Sequence, residues 1–265
     1  MTAVCMAGAT GWAGSAVARG VLDDPELVLR SGVSRSAAGK DLGVAWGSDP
    51  IGVPVLGSVA EAIDGVEVLV EFTSHDVALA NVLTALRHGI DVVVGTSGLT
   101  GDEFETIDRV AREHGVGVVA AGNFSLTAVL AQAAALLAAP YLPNSEIIDF
   151  ASASKVDAPS GTARELAERL SEVKRSDLVV PLEEIHGERT ARGAAIGAVQ
   201  VHSVRLPSFV VSTEVIFGLP DERLTIRHDA GGTPAPYVAG ALLAIRAVRG
   251  RIGLTRGLDV LLLQR

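Results

Sequence analysis

The chain has 265 residues, enough for one large or two modest domains, each with its own core. Its hydrophobic share is 48% but its aromatic share only 4%, so the interior must be built from Ala, Val, Leu and Ile, as where helices pack on a parallel sheet. A formal charge of −9 leaves no basic surplus to displace counterions from a nucleic-acid backbone or to bind anionic lipid, which argues against nucleic-acid and membrane partners.

In chain order, β-branched runs at 3–7, 27–33, 66–72, 91–95 and 116–121 predict strands, most of them separated by helical patterns. Such alternation predicts an α/β domain with a doubly wound parallel sheet. Cys5, the single cysteine, is read as a small core residue of the first strand. The stretch 115–142 carries no charge and is longer than the roughly 18 residues that flag a membrane span. Asn123, Ser125, Thr127 and Gln132 punctuate it and Gly122 and Pro140 break it, which predicts a buried strand, a turn and a buried helix instead. The first basic residue is Arg19, and Gly8 and Gly11 interrupt the opening apolar run, so no secretory signal is read and a cytoplasmic setting is expected.

Beyond Asn144 the rhythm changes. Runs at 146–151, 195–204, 209–217 and 223–227 predict strands, the last three in meander spacing, and 162–172 predicts one capped helix. This is the pattern of an α+β domain with an open antiparallel sheet. A final helix at 237–249 is read as returning to the first domain.

The first strand runs into Gly8-Ala9-Thr10-Gly11-Trp12-Ala13-Gly14 and then a helix. Glycines spaced this way permit a tight turn and let a pyrophosphate approach the backbone at a helix N-terminus, making Gly8, Thr10, Gly11, Trp12 and Ala13 candidate cofactor contacts. An ordinary strand–turn–helix is the plain alternative; position at the start of an α/β chain favours the cofactor. The second strand ends in Ser34-Arg35-Ser36, with no carboxylate to accept from ribose hydroxyls. A guanidinium there suits the extra phosphate of NADPH, which is expected to be preferred to NADH; a solvated loop charge is the alternative for Arg35.

The segment Lys155-Val156-Asp157-Ala158-Pro159-Ser160-Gly161-Thr162-Ala163 predicts an anion cradle. Ser160 and Thr162 open a helix, Thr162 and Glu165 can form a capping box, and Gly161 lets a ligand reach the main chain. Free N–H groups and two hydroxyls at such an end suit a carboxylate, and Lys155 upstream favours binding over simple capping.

These elements, together with Glu71-Phe72-Thr73, Gly95-Thr96-Ser97-Gly98, Gly122-Asn123-Phe124-Ser125, His202-Ser203-Val204-Arg205-Leu206-Pro207 and Glu214-Val215-Ile216-Phe217-Gly218, resemble the dihydrodipicolinate reductases of bacterial lysine biosynthesis over essentially the whole chain. The resemblance implies a Rossmann-type dinucleotide-binding domain at 1–123 plus 236–265. It implies a substrate-binding domain at 124–235, whose open sheet mediates a homotetramer, and hydride transfer from NAD(P)H to a cyclic dicarboxylated substrate. Carried over by position, Phe72, Thr73, Gly95, Thr96, Gly98, Asn123 and Phe124 flank the nicotinamide, and Lys155, Ser160, Gly161 and Thr162 hold a substrate carboxylate.

Two departures stand out. The family's His-His pair, one member of which donates a proton, is Ala151-Ser152 here, and alanine has no proton to give while a serine hydroxyl is a poor acid. Ser152 is kept among the substrate-binding positions. After His228, where the family has a Ser-Arg or Asp-Arg element, this chain reads Asp229-Ala230-Gly231-Gly232-Thr233-Pro234. Lys155, an ammonium read as lying among apolar neighbours, is then the leading proton donor, with a carboxylate anchor and a water-supplied proton as its alternative. His75, His88 and His114 fall at helix ends, His202 and His228 read as structural, and no His/Cys spacing suggests a metal. The reading is an NAD(P)H-dependent reductase of a small cyclic imine or conjugated enamine carboxylate, in amino-acid or specialised-metabolite biosynthesis. Alternatives are the lysine-pathway reaction with an altered proton donor, a silent cofactor-binding regulator, and another Rossmann enzyme such as aspartate dehydrogenase.

Overall fold

A computed structural model of the chain describes residues 1–173, 178 and 180–263. It divides into two compact units, Met1–Leu126 with Pro234–Arg265, and Thr127–Thr233. The first opens with β1 (Thr2–Ala7), α1 (Trp12–Asp23), β2 (Leu27–Val33), α2 (Leu42–Ala45), β3 (Val55–Leu56), α3 (Val59–Ala62), β4 (Val68–Glu71), α4 (His75–Arg87), β5 (Asp91–Val94), α5 (Gly101–His114) and β6 (Gly117–Ala120). The chain continues through α6 (Leu126–Ala138), β7 (Asn144–Ala151), α7 (Gly161–Val173), β8 (Ala194–Ile196), β9 (Val199–Arg205), β10 (Val211–Leu219) and β11 (Glu222–Asp229). It closes with α8 (Pro236–Val248), β12 (Gly253–Arg256) and α9 (Asp259–Leu263).

The first sheet has seven strands in the order β12-β6-β5-β4-β1-β2-β3, and its paired neighbours are parallel. Every residue of β4, β5 and β6 is buried, as a parallel sheet covered on both faces requires. Helices cover it with one apolar stripe each; α1 buries Gly14, Val17, Ala18 and Val21, a spacing of three and four. A capping box of Thr100 and Glu103 starts α5, and Gly115 in the left-handed region (φ 66) ends it. On α8, Val238 fills the gap at Gly20 of α1, and Arg246 pairs with Asp24 and Glu26. Strand order reverses direction at β1 and β4, so the crevice at their carboxyl ends is the topological switch point.

The five predicted strands of this region are all present, each within two residues of the expected ends. Missing from the reading are β3, only two residues long, and β12, an edge strand reading Gly-Leu-Thr-Arg with no apolar run. The uncharged stretch resolves into β6, a turn and α6, and no helix among the described residues is long and apolar enough to cross a membrane.

The second sheet is five-stranded and open, in the order β11-β10-β7-β9-β8. It is mixed rather than wholly antiparallel, because β7 and β9 pair in parallel while the other neighbours are antiparallel. The reason is connectivity: α7 lies between β7 and β9 in the chain, and a helical crossover allows two strands to run the same way. The single strand expected at 195–204 is a hairpin, β8–β9, turned at Gly197 with φ 59. One face of the sheet packs Ile147, Val215 and Phe217 against Leu166 and Leu170 of α7 and Ala135 of α6. Residues of opposite strand parity carry polar and aromatic groups instead: Glu146 pairs with His202 at 2.7 Å, and the Arg227 guanidinium lies 4.9 Å from the Phe150 ring centroid.

Candidate functional site

The glycine turn is built for close approach. Gly8 has φ 83, and a Cβ there would run into the Phe72 carbonyl oxygen; a Cβ on Gly14 would run into the carbonyl oxygen of Gly8 itself. Gly11 precedes α1 and supplies no side-chain cap, so the N–H groups at the start of this helix are available to an anion. Thr10 Oγ1 lies 2.7 Å from Ser34 Oγ, which brings the turn against the end of β2, and Ser34 Oγ is 3.3 Å from Ser36 Oγ. Arg35 is exposed beside them. Asp76 sits below the ordinary carboxylate value, first through its hydrogen bond with Ser74, with a smaller contribution from Arg35. Trp12 packs edge-on against Tyr237 at 5.8 Å between ring centroids, and Ala13 follows in α1.

The other predicted cofactor residues gather at the carboxyl ends of β4, β5 and β6. Their common anchor is Glu71, which is fully buried. Its carboxylate accepts from Thr73 N at 2.8 Å, from Thr73 Oγ1, from Thr96 Oγ1 at 3.2 Å and from Asn81 Nδ2 at 2.9 Å. Burial pushes the carboxyl pKa up, and these hydrogen bonds oppose the rise. One side chain thus ties the loop after β4 to the loop after β5. The Phe72 ring lies over Gly95, where any Cβ would collide with it, and 5.4 Å from the Phe124 ring. Asn123 Oδ1 accepts from Ser125 N at 2.8 Å, which shapes the turn after β6. Gly98, with φ 101, passes against the His75 ring. Glu71 was quoted only as part of a motif and Asn81 not at all; the available signal was a carboxylate closing an otherwise apolar strand.

In the second unit the segment expected to form a carboxylate cradle opens helix α7, and its polar groups are arranged differently from the expectation. Helix α7 begins at Gly161, so its cap is Ser160, whose Oγ accepts from Ala163 N at 3.3 Å, and Thr162, expected at the cap, lies inside the first turn. Nor is the Ser160 hydroxyl offered to a ligand. It donates to Asp149 Oδ1 at 2.6 Å, and Ser160 N donates to Asp149 Oδ2 at 2.8 Å. Asp149 is fully buried on β7, and its charge is balanced by Arg205 of β9, whose Nη2 lies 2.8 Å away. The same Nη2 donates to the Asp157 carbonyl at 2.7 Å, and Ser203 Oγ donates to Asp149 at 3.3 Å. Asp149 and Arg205 therefore hold both the start of α7 and the loop before it. Sequence reasoning quoted Arg205 only within a motif and gave neither residue a role, although an aspartate within an apolar strand run is itself a signal of a buried partner.

Gly161 and Thr162 form the first turn of α7, directly after the Ser160 cap. Lys155 does not lie among apolar neighbours: its Nζ is 2.8 Å from Asp157 Oδ1, and its backbone N–H closes a turn onto the Ser152 carbonyl at 3.0 Å. Ser152 Oγ is 2.9 Å from Ser154 Oγ within that turn, while Ala151 is buried at the end of β7. His228 Nε2 is 3.1 Å from Thr127 Oγ1, and burial lowers the imidazole pKa, against a smaller opposing effect of Asp229. Among the described residues no group of His, Cys, Asp and Glu is arranged to hold a metal ion.

A sheet that runs β3-β2-β1-β4-β5-β6 with a glycine turn at its switch point has the architecture of the Rossmann-type dinucleotide-binding proteins. Comparison with known proteins gives the family. Residues 2–124 match dihydrodipicolinate reductase, N-terminus, and residues 122–261 match dihydrodipicolinate reductase, C-terminus. The chain belongs to the dihydrodipicolinate reductase family of NAD(P)H-dependent oxidoreductases. It is 38% identical to a 4-hydroxy-tetrahydrodipicolinate reductase of Thermosynechococcus vestitus, covering 98% of this chain and 96% of that one. It is 40% identical to the enzyme of the same name from Moorella thermoacetica, covering 98% and 97%. Among solved structures it is similar to a dipicolinate-bound dihydrodipicolinate reductase from Paenisporosarcina sp. TG-14, with TM-score 0.78, 28% identity and coverage of 98% and 99%. GenD2 from gentamicin A biosynthesis, in complex with NAD, shares the fold at TM-score 0.67 and 17% identity, with coverage of 98% and 90%.

Proposed function

We propose that this protein reduces a small cyclic imine or conjugated enamine carboxylate with NADPH in preference to NADH. The observation that carries this reading is the start of α7, where Asp149 and Arg205 fix Ser160 and so present Gly161 and Thr162 to an anion. In this reading the Gly8–Ala13 turn, Ser34 and Arg35 hold the phosphates, and Phe72, Thr73, Gly95, Thr96, Gly98, Asn123 and Phe124 line the nicotinamide. When bound, the nicotinamide cofactor supplies the hydride.

The chain's own groups do the rest. The N–H groups of α7 and the Thr162 hydroxyl bind and orient the substrate carboxylate. Reduction leaves negative charge on the substrate, and the Lys155 ammonium, steered by Asp157, donates the proton or stabilises that charge in place of the missing histidines. Ser152, in the turn that positions Lys155, borders the same substrate. The polar and aromatic face of the second sheet is the surface on which a homotetramer would form, and the cytoplasm is the compartment in which such an enzyme works.

The test is NADPH oxidation with a panel of cyclic imines bearing one or two carboxylates, 4-hydroxy-tetrahydrodipicolinate among them. Turnover by the wild type and its loss in Thr162→Val and Lys155→Ala support the assignment; absence of turnover across the panel despite NADPH binding refutes it. Arg35→Ala should raise the NADPH Michaelis constant at least about tenfold, the effect of losing one charged hydrogen-bonding group, and leave that of NADH unchanged. A second reading, the lysine-pathway reaction itself, is favoured by the 38–40% identity to enzymes named for it, and turnover confined to the 4-hydroxy-tetrahydrodipicolinate sample would establish it.

A further inference from the structure

Between α6, α7 and the β10–β11 pair lies a pocket enclosing about 310 Å³ of space, mouth included. Four of its lining residues are polar: Gln132 on α6, Thr162 on α7, Thr213 on β10 and His228 on β11. Gln132 and Thr213 are each more than nine-tenths buried, yet Gln132 Nε2 and Thr213 Oγ1 have no hydrogen-bond partner. Leaving such a group unpaired costs about 1–3 kcal/mol, so native interiors hold few of them, and two on the wall of one small pocket call for a ligand. The remaining wall is alanine and branched aliphatic side chains, and no lining residue is Lys, Arg, Asp or Glu.

We infer that this pocket is a neutral polar subsite of the substrate site, with Gln132 and Thr213 as specificity-determining residues that receive an uncharged acceptor group such as a carboxamide, ketone or hydroxyl. The inference rests on the reductase reading above, because Thr162 is shared between the pocket and the carboxylate cradle. A second carboxylate fits poorly: a buried anion is retained where a cation balances it, and no Lys or Arg lines the pocket. The substrate then has one carboxylate, on the start of α7, and one uncharged polar substituent lying against Gln132 and Thr213.

The test titrates two rigid probes, pyridine-2,6-dicarboxylate and 6-carbamoylpyridine-2-carboxylate, into the full chain with NADPH present, by calorimetry. The carbamoyl probe should bind at least about tenfold tighter, and Gln132→Leu and Thr213→Val should each remove about tenfold of that preference while leaving the dicarboxylate unchanged. Both variants replace an unpaired polar group by an apolar one of similar shape, so their melting temperatures should equal or exceed that of the wild type; a fall shows the groups to be satisfied within the fold and overturns the subsite. Equal binding of the two probes, or a preference that survives both substitutions, also overturns it. If both probes bind, depend on Thr162 and ignore Gln132 and Thr213, the reductase reading stands and the subsite alone falls. If neither probe binds while NADPH does, both fall.

Discussion

Replacing Arg205 by leucine isolates the interaction that holds the start of α7. The substitution leaves the fully buried Asp149 carboxylate facing Ser160 without its cation, and frees the Asp157 carbonyl that Arg205 also holds. A buried ion pair contributes little against a well-packed apolar pair, but removing one partner costs about 3–5 kcal/mol, because the orphaned charge stays out of water. Arg205 is 17% exposed, so some solvent reaches the site and the lower part of that range, about 3–4 kcal/mol, is expected. At roughly 2–4 °C per kcal/mol for a chain of this size, the melting temperature should fall by about 6–16 °C. Asp149→Asn in the Arg205→Leu background removes the stranded charge and should recover at least about 1 kcal/mol. Arg205→Lys should fall between, keeping the charge but losing the second nitrogen, Nη1, which donates to the Asp149 and Val204 carbonyls while Nη2 holds Asp149 Oδ2 and the Asp157 carbonyl. Thermal unfolding followed by circular dichroism measures all three. A loss below about 3 °C in Arg205→Leu, or no recovery on adding Asp149→Asn, would refute the reasoning.

Further outcomes follow from the first unit. Gly14→Ala places a Cβ against the Gly8 carbonyl, so it should cost about 1–3 kcal/mol by overpacking and weaken NADPH binding; thermal unfolding and cofactor titration read both. Gly95→Ala must displace the Phe72 ring and should raise the NADPH Michaelis constant while leaving binding of a substrate analogue unchanged in a calorimetric titration. Glu71 has its pKa raised from 4.5, so the folded state binds its proton more tightly than the unfolded chain, and its contribution to stability falls as pH rises from about 4.5 through the folded value. Glu71→Gln lacks that fall: its melting temperature relative to wild type should climb between pH 4.5 and neutrality, and a difference constant with pH would contradict the burial argument.

The fold was legible wherever one physical pattern dominated. Runs such as Val92-Val93-Val94 and Val118-Val119 are apolar on both faces, which only a covered parallel strand satisfies, and the glycine turn announced itself because its glycines have no side-chain substitute. The β8–β9 hairpin was hidden because Gly197 lies between two β-forming runs that read as one, and β12 because an edge strand of four residues needs no alternation. At the candidate site, the residues named from the sequence bear recognisable groups at a helix or strand end. Those missed, Glu71, Asn81, Asp149, Arg205, Gln132 and Thr213, act through partners 2 to 56 residues away, or have none, and such pairing is decided by tertiary structure.

Because Asp149 sits on β7 and reaches Ser160 from there, the location of the start of α7, the proposed anion site, is a property of strand pairing and not of the loop that carries its signature. Side chains alternate along a strand, so a single-residue insertion early in β7 would turn Asp149 towards the opposite face and unseat α7 while leaving every residue of the 155–163 motif in place. Lengthening the turn at Asp221 between β10 and β11 disturbs nothing on which the cradle depends. Groups beside the start of α7, such as Ala151 and Ser152, can therefore be exchanged without moving it, only so long as the register of the strand beneath them is kept.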